Sequence, residues 1–94
     1  MPVTVPELEE LRRAIDDVDR RILQLVAERV RLVLEVGDIK RRRNLPVYDP
    51  ERERRVLESL SANAPEPLDA TTIKRIFERI IDESRRLEQH HVAR

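Results

Sequence analysis

Residues 8–43 read LEELRRAIDDVDRRILQLVAERVRLVLEVGDIKRRR, and their spacing decides the fold. Apolar side chains recur at Leu8, Leu11, Ile15, Val18, Ile22 and Leu25, then at Leu32, Val36 and Ile39, in steps of three and four. That alternation marks one stripe of an α-helix. Pro6 suits the first turn, Glu7, Glu9 and Glu10 suit the positive end of the helix dipole, and Lys40, Arg41, Arg42 and Arg43 suit the negative end. A single helix over about residues 6–43 follows. At 1.5 Å per residue it is roughly 55 Å long, whereas a compact chain of this size has a radius of gyration near ~13 Å. Such a helix must protrude from its own subunit. Its apolar seam then needs a cover, and the simplest cover is the same helix of a second chain about a two-fold axis.

Downstream, residues 44–50 (NLPVYDP) carry two prolines and break the helical pattern. Asp49 is placed to cap a second helix with Pro50 in its first turn, running through Val56, Leu57 and Leu60 to about residue 62. After the proline-containing stretch 61–67, Asp69 is placed to cap a third helix, over about residues 69–90. Its apolar positions Ile73, Ile76, Phe77, Ile80, Ile81 and Leu87 keep helical spacing. The expected fold is all-α: one domain over 1–94, with three helices, one of them very long, in an intertwined homodimer.

Composition agrees with helices and narrows the function. Charged residues make up 40% of the chain and aromatics 2%, with one glycine and no cysteine, so neither a disulfide framework nor a thiolate metal site is available to a 94-residue domain whose core is small. Association is the remaining route to burial. Nineteen basic residues balance nineteen acidic ones, which removes the global positive field expected of a nucleic-acid or anionic-membrane binder. No apolar stretch approaches the ~20 residues of a membrane span. The opening MPVTVPELEE has neither a basic leader nor a signal-length apolar run, so the expected location is cytoplasmic.

Several polar residues fall where the pattern asks for apolar ones. Arg29 interrupts the series between Leu25 and Leu32. Lys40, eleven residues on, returns to within roughly 20° of the same direction at about 100° per residue. Arg12 points about 100° away from Arg29, where it is available to a partner's site instead. On the second helix Glu53 precedes Val56, Leu57 and Leu60 at helical spacing, with Arg52 at the stripe's edge. On the third, Ser84 and Glu88 continue the stripe of Ile73, Phe77 and Ile81. Buried unpaired charge costs several kcal/mol, so these groups must pair with one another or with a ligand. An internal salt-bridge network satisfies any one of them taken alone. As a set the cations exceed the inner-face anions, and a small dicarboxylate fits the vacancy. His90 and His91 fall in a tail expected to fray and receive no role. Gly37, costly by about 1 kcal/mol inside a helix, signals a close approach, with helix packing the simpler cause.

The run LRRAIDDVDRRILQLVAERVRLVLEVGDIK, then PVYDPERERRVL, then IFERIIDESRRLEQ resembles the all-helical, AroQ-type chorismate mutases from Leu11 to Gln89. The resemblance implies a cofactor-free and metal-free rearrangement of chorismate to prephenate in aromatic amino-acid biosynthesis. It also implies two sites per dimer, each completed by the long helix of the other subunit. Carried over by position, Arg29 and the partner's Arg12 clamp the two substrate carboxylates. Lys40 meets a carboxylate and the ether oxygen, Asp49 and Glu53 with Arg52 hold the ring-hydroxyl region, and Ser84 touches substrate. Glu88 faces the ether oxygen. Many members of the family carry glutamine at that last place. A glutamate must be protonated to donate there, so its pKa is expected to be raised.

Other readings stay open at this point. The same scaffold can carry an isochorismate pyruvate lyase, against which Glu53 at the ring-hydroxyl position speaks. It can also serve as a regulatory module attached to another shikimate-pathway enzyme. A purely structural helical dimer has no use for Arg29, Lys40, Glu53, Ser84 and Glu88 turned inward.

Overall fold

The computed structural model describes residues 5–92, which form three helices: α1 (Pro6–Arg42), α2 (Pro50–Ala62) and α3 (Ala70–Val92). α1 starts at a proline with Glu7 and Glu9 in its first turn and ends in Lys40, Arg41 and Arg42, so both dipole ends are complemented. It stops one residue before the expected Arg43, because Asn44 adopts the left-handed conformation with φ 55°. The Leu45 N–H donates to the Lys40 carbonyl at 2.7 Å and the Asn44 N–H to that of Arg41 at 3.2 Å. This is a Schellman termination, with asparagine in place of the usual glycine.

Asp49 caps α2 as its position predicts, its Oδ1 accepting from the Arg52 N–H at 3.1 Å. Asp69 does the same for α3 through the Thr72 N–H at 2.7 Å, and so stands just outside a helix that begins at Ala70. At the other end α3 continues to Val92, beyond the expected residue 90. Both histidines of the expected tail lie within α3, and His91 Nε2 is 3.2 Å from Asp38 Oδ1 of α1.

Successive cross-helix contacts, Arg29 with Ser84, Gly37 with Glu88 and Asp38 with His91, ascend together along both helices, so α3 runs in the same direction as the end of α1. α3 packs on both α1 and α2, which do not pack on each other among the described residues. The enclosed apolar core is small, with Ile73 and Ile81 its buried members among the described residues. The first half of α1 extends away from this core: residues 10–25 are all exposed. Leu11, Ile15, Ile22 and Leu25 are each more than half exposed. Overall extents of 59 × 33 × 17 Å and a radius of gyration of 17.7 Å express that projection.

Candidate active site

Where the C-terminal half of α1 meets α2, α3 and the 43–49 connection, the helices enclose a pocket of about 310 Å³. Its floor is apolar, from Leu32, Val33 and Val36 of α1, Val56 of α2 and Ile81 of α3. Four cationic side chains, Arg29, Lys40, Arg52 and Arg85, and three carboxylates, Asp49, Glu53 and Glu88, stand around that floor. Seven of the residues singled out from sequence therefore gather here: Arg29, Lys40, Asp49, Arg52, Glu53, Ser84 and Glu88. Arg12 does not join them within one chain. It sits some seventeen residues, about 25 Å, back along α1, where it pairs loosely with Glu9 at 3.4 Å on the surface.

Each polar group is held by a local cause. Arg29 Nη1 donates to Ser84 Oγ at 3.3 Å, while the Ser84 hydroxyl donates to the Ile80 carbonyl one turn back at 2.6 Å. Ser84, 3% exposed, thereby orients Arg29 and has its own proton committed to the backbone. Lys40 Nζ donates to the Val47 carbonyl at 3.1 Å, tying the end of α1 to the connection and leaving two ammonium protons for other acceptors. Asp49 is spent in part on capping α2. Glu53 forms an ion pair with Arg85 across the α2–α3 interface. The internal network that would have neutralised Arg29 or Lys40 is absent among the described residues, where neither they nor Arg52 is ion-paired with a carboxylate.

Glu88 is the most unusual titratable group, a residue 7% exposed that takes part in none of the ion pairs among the described residues. Burial pushes its pKa above the ordinary glutamate value; Lys40 and Arg85 oppose that rise and Glu53 adds to it. Gly37 explains how the side chain fits. A Cβ added there would meet Glu88 Cγ at 3.2 Å and Cδ and Oε2 at 3.3 Å, so the glycine makes room for this carboxyl as well as for α3. The lining sets four cationic side chains against three carboxylates, an excess of positive charge that a small anion would balance.

Arg85 was not among the residues singled out from sequence, nor was Tyr48, over whose ring it lies at 5.0 Å. A signal was present: Arg85 follows Ile81 by four and precedes Glu88 by three, which puts it on the inward stripe.

Fold and pocket together define a three-helix scaffold whose pocket has an apolar floor and a cation-rich rim. Comparison with known proteins gives that class its family. Residues 11–89 match the chorismate mutase type II family. A chorismate mutase from Methanocaldococcus jannaschii is 32% identical over 89 residues, covering 94% of this chain and 90% of that protein. A bifunctional chorismate mutase/prephenate dehydratase from Aquifex aeolicus is 48% identical over 54 residues, 57% of this chain. The chain spans only about 15% of the length of that relative and of the T-protein of Enterobacter agglomerans. Among solved structures, chorismate mutase from Thermus thermophilus superimposes with a TM-score of 0.85 at 41% identity, covering 88% of this chain and 94% of that one. Chorismate mutase from Helicobacter pylori in complex with prephenate gives 0.87 at 26% identity, covering 95% and 97%. The chain belongs to the chorismate mutase type II family, all-helical enzymes of the isomerase class.

Proposed function

We propose that this chain is a chorismate mutase, acting as a cytoplasmic homodimer that converts chorismate to prephenate. The observation that carries the reading is the pocket itself, with cations unpaired by protein acids on α1 and a buried carboxyl with a raised pKa opposite Lys40. The reaction is a pericyclic rearrangement within one molecule, in which an ether C–O bond breaks as a C–C bond forms. It needs no nucleophile. What the protein supplies is a fixed reactive conformation and stabilisation of negative charge growing on the ether oxygen.

In this reading Arg29, braced by Ser84, clamps one substrate carboxylate with its planar fork. The partner's Arg12 clamps the other. Lys40 and protonated Glu88 face the ether oxygen, and Glu53, with Asp49 and Arg52 beside it, holds the ring-hydroxyl region. The uncovered seam of α1 supports the dimer: the stripe from Leu8 to Leu25 is exposed, while the continuation through Leu32 and Val36 walls the pocket. A second copy covering the first stretch brings its own α1 toward the pocket mouth.

The test is direct. Purified protein mixed with chorismate should consume its absorbance, with prephenate identified as product by chromatography; no turnover above the uncatalysed rate rejects the reading. The bifunctional relatives favour one addition, that the domain works attached to or beside an enzyme that uses prephenate. Co-purification with such an enzyme from native cells supports this, and its absence at native expression rejects it.

A further inference from the structure

Arg85 stands on α3 between Ser84 and Glu88 and lines the pocket, with its guanidinium engaged by groups of its own chain. The guanidinium pairs with Glu53 on α2, reaches Asp82 on its own helix at 3.5 Å, and lies 5.0 Å from the centroid of the Tyr48 ring. Among the described residues Arg85 with Glu53 is the one guanidinium–carboxylate pair that joins two helices, since the others lie three or four residues apart along one helix. Both side chains are about 30% exposed, so water screens the pair less than it screens those on the surface. Stacking on Tyr48 ties the same guanidinium to the connection whose Val47 carbonyl receives Lys40. Arg85 thus binds together three pieces of the pocket wall: the connection, α2 and α3.

A carboxylate has two oxygens, and Arg85 takes Oε1 of Glu53. Oε2 has no hydrogen bond among the described residues. The arrangement holds the carboxylate in one direction and leaves an acceptor for a hydroxyl. We propose that Arg85 is a positioning residue, which sets the orientation of Glu53 through their ion pair and the seat over Tyr48, and so determines how tightly the pocket takes a ring hydroxyl. The assignment rests on the pocket being a chorismate site.

The hydroxyl takes no part in the bonds that change, so its contact is similar in bound substrate and transition state, and weakening it acts on KM more than on kcat. A hydrogen bond to a charged group is worth enough to shift affinity by about ten- to a hundredfold. Steady-state kinetics of the wild type, Arg85→Met, Arg85→Lys, Glu53→Gln and the double variant Arg85→Met/Glu53→Gln test this. Arg85→Met should raise KM about tenfold with kcat kept within a few-fold, and Arg85→Lys should recover part of the loss. In the Glu53→Gln background, Arg85→Met should change KM little. An equal rise in both backgrounds means that the guanidinium acts on substrate without Glu53, and an unchanged KM means that the pair does not bear on binding; either overturns the assignment. If Arg85→Met loses its helical circular dichroism, Arg85→Lys decides, because an ammonium cannot reproduce the planar fork and should still raise KM several-fold. No rise there overturns the assignment too. A wild-type protein inert toward chorismate overturns the function itself, and this assignment with it.

Discussion

Lys40, in the last turn of α1, gives one ammonium proton to the Val47 carbonyl and keeps the others available to the pocket. A positive charge preorganised against a developing oxyanion typically lowers a barrier by about 3 to 4 kcal/mol. Lys40→Ala should therefore lower kcat by at least about a hundredfold with the helical circular dichroism unchanged; kinetics equal to the wild type refute its role. Glu88 gives a prediction with a sign. Its pKa is raised in the folded protein, chiefly by burial, so the fold favours the protonated form. As pH rises through that pKa the carboxyl ionises, loses its ability to donate, and becomes a buried charge. Activity and the stability due to this group are both full at low pH and decline together toward basic pH. Glu88→Gln, a permanent donor, should flatten the pH–rate profile. A wild-type profile already flat from mildly acidic to mildly basic pH contradicts the assignment. Gly37 supplies a third test. Alanine there gains about 1 kcal/mol of helix propensity but forces the Glu88 side chain to give by a few tenths of an ångström. Gly37→Ala should therefore lower turnover without lowering the melting temperature.

At the scale of the elements, helix ends place the chemistry. The left-handed Asn44 closes α1 so that the connection turns back over Lys40, and Asp49 then starts α2 with Glu53 on its inner side. A left-handed conformation costs most residues about 1 to 2 kcal/mol, and glycine little. Asn44→Ala should accordingly lower unfolding free energy by roughly 1 kcal/mol in denaturant titrations, whereas Asn44→Gly should not. Asp69, whose carboxyl is held below the usual aspartate range by the Thr72 N–H and hydroxyl, contributes stability that is lost as pH falls through its lowered pKa. The seam of α1, the two proline-led starts and the aspartate caps were legible in the sequence because each is a local pattern of spacing or turn chemistry. The stop at Asn44 was not, since the basic run Arg41–Arg43 prolongs the helical signal and a left-handed asparagine has no distinctive neighbours. Inward polar residues were legible where they interrupted an apolar stripe, as Arg29 and Glu88 do. Arg85 escaped because it lies beside Ser84, which already filled the interruption, and because its partner Glu53 is thirty-two residues away, beyond any helical period.

The whole molecule has an unfinished look as a single chain. A 37-residue helix carries an apolar stripe whose members Leu11, Ile15 and Leu25 are 62%, 57% and 64% exposed, and the buried core behind it is small. Exposed stripes of this length mark association surfaces. Ile22→Glu, placed in the stripe away from the pocket lining, should shift the species seen by analytical ultracentrifugation from dimer to monomer and abolish turnover. A monomeric wild type that turns over chorismate contradicts the two-chain site. Arg12 makes the same point chemically, for it is distant from Arg29 in its own chain yet expected in the pocket of the other. Arg12→Ala and Arg29→Ala should each be nearly inactive alone. Refolded together in equal amounts, half of the dimers are mixed and each of those holds one whole site, so activity should return to about a quarter of the wild-type level. No recovery from the mixture, with both variants folded and dimeric, contradicts a pocket completed by the second chain.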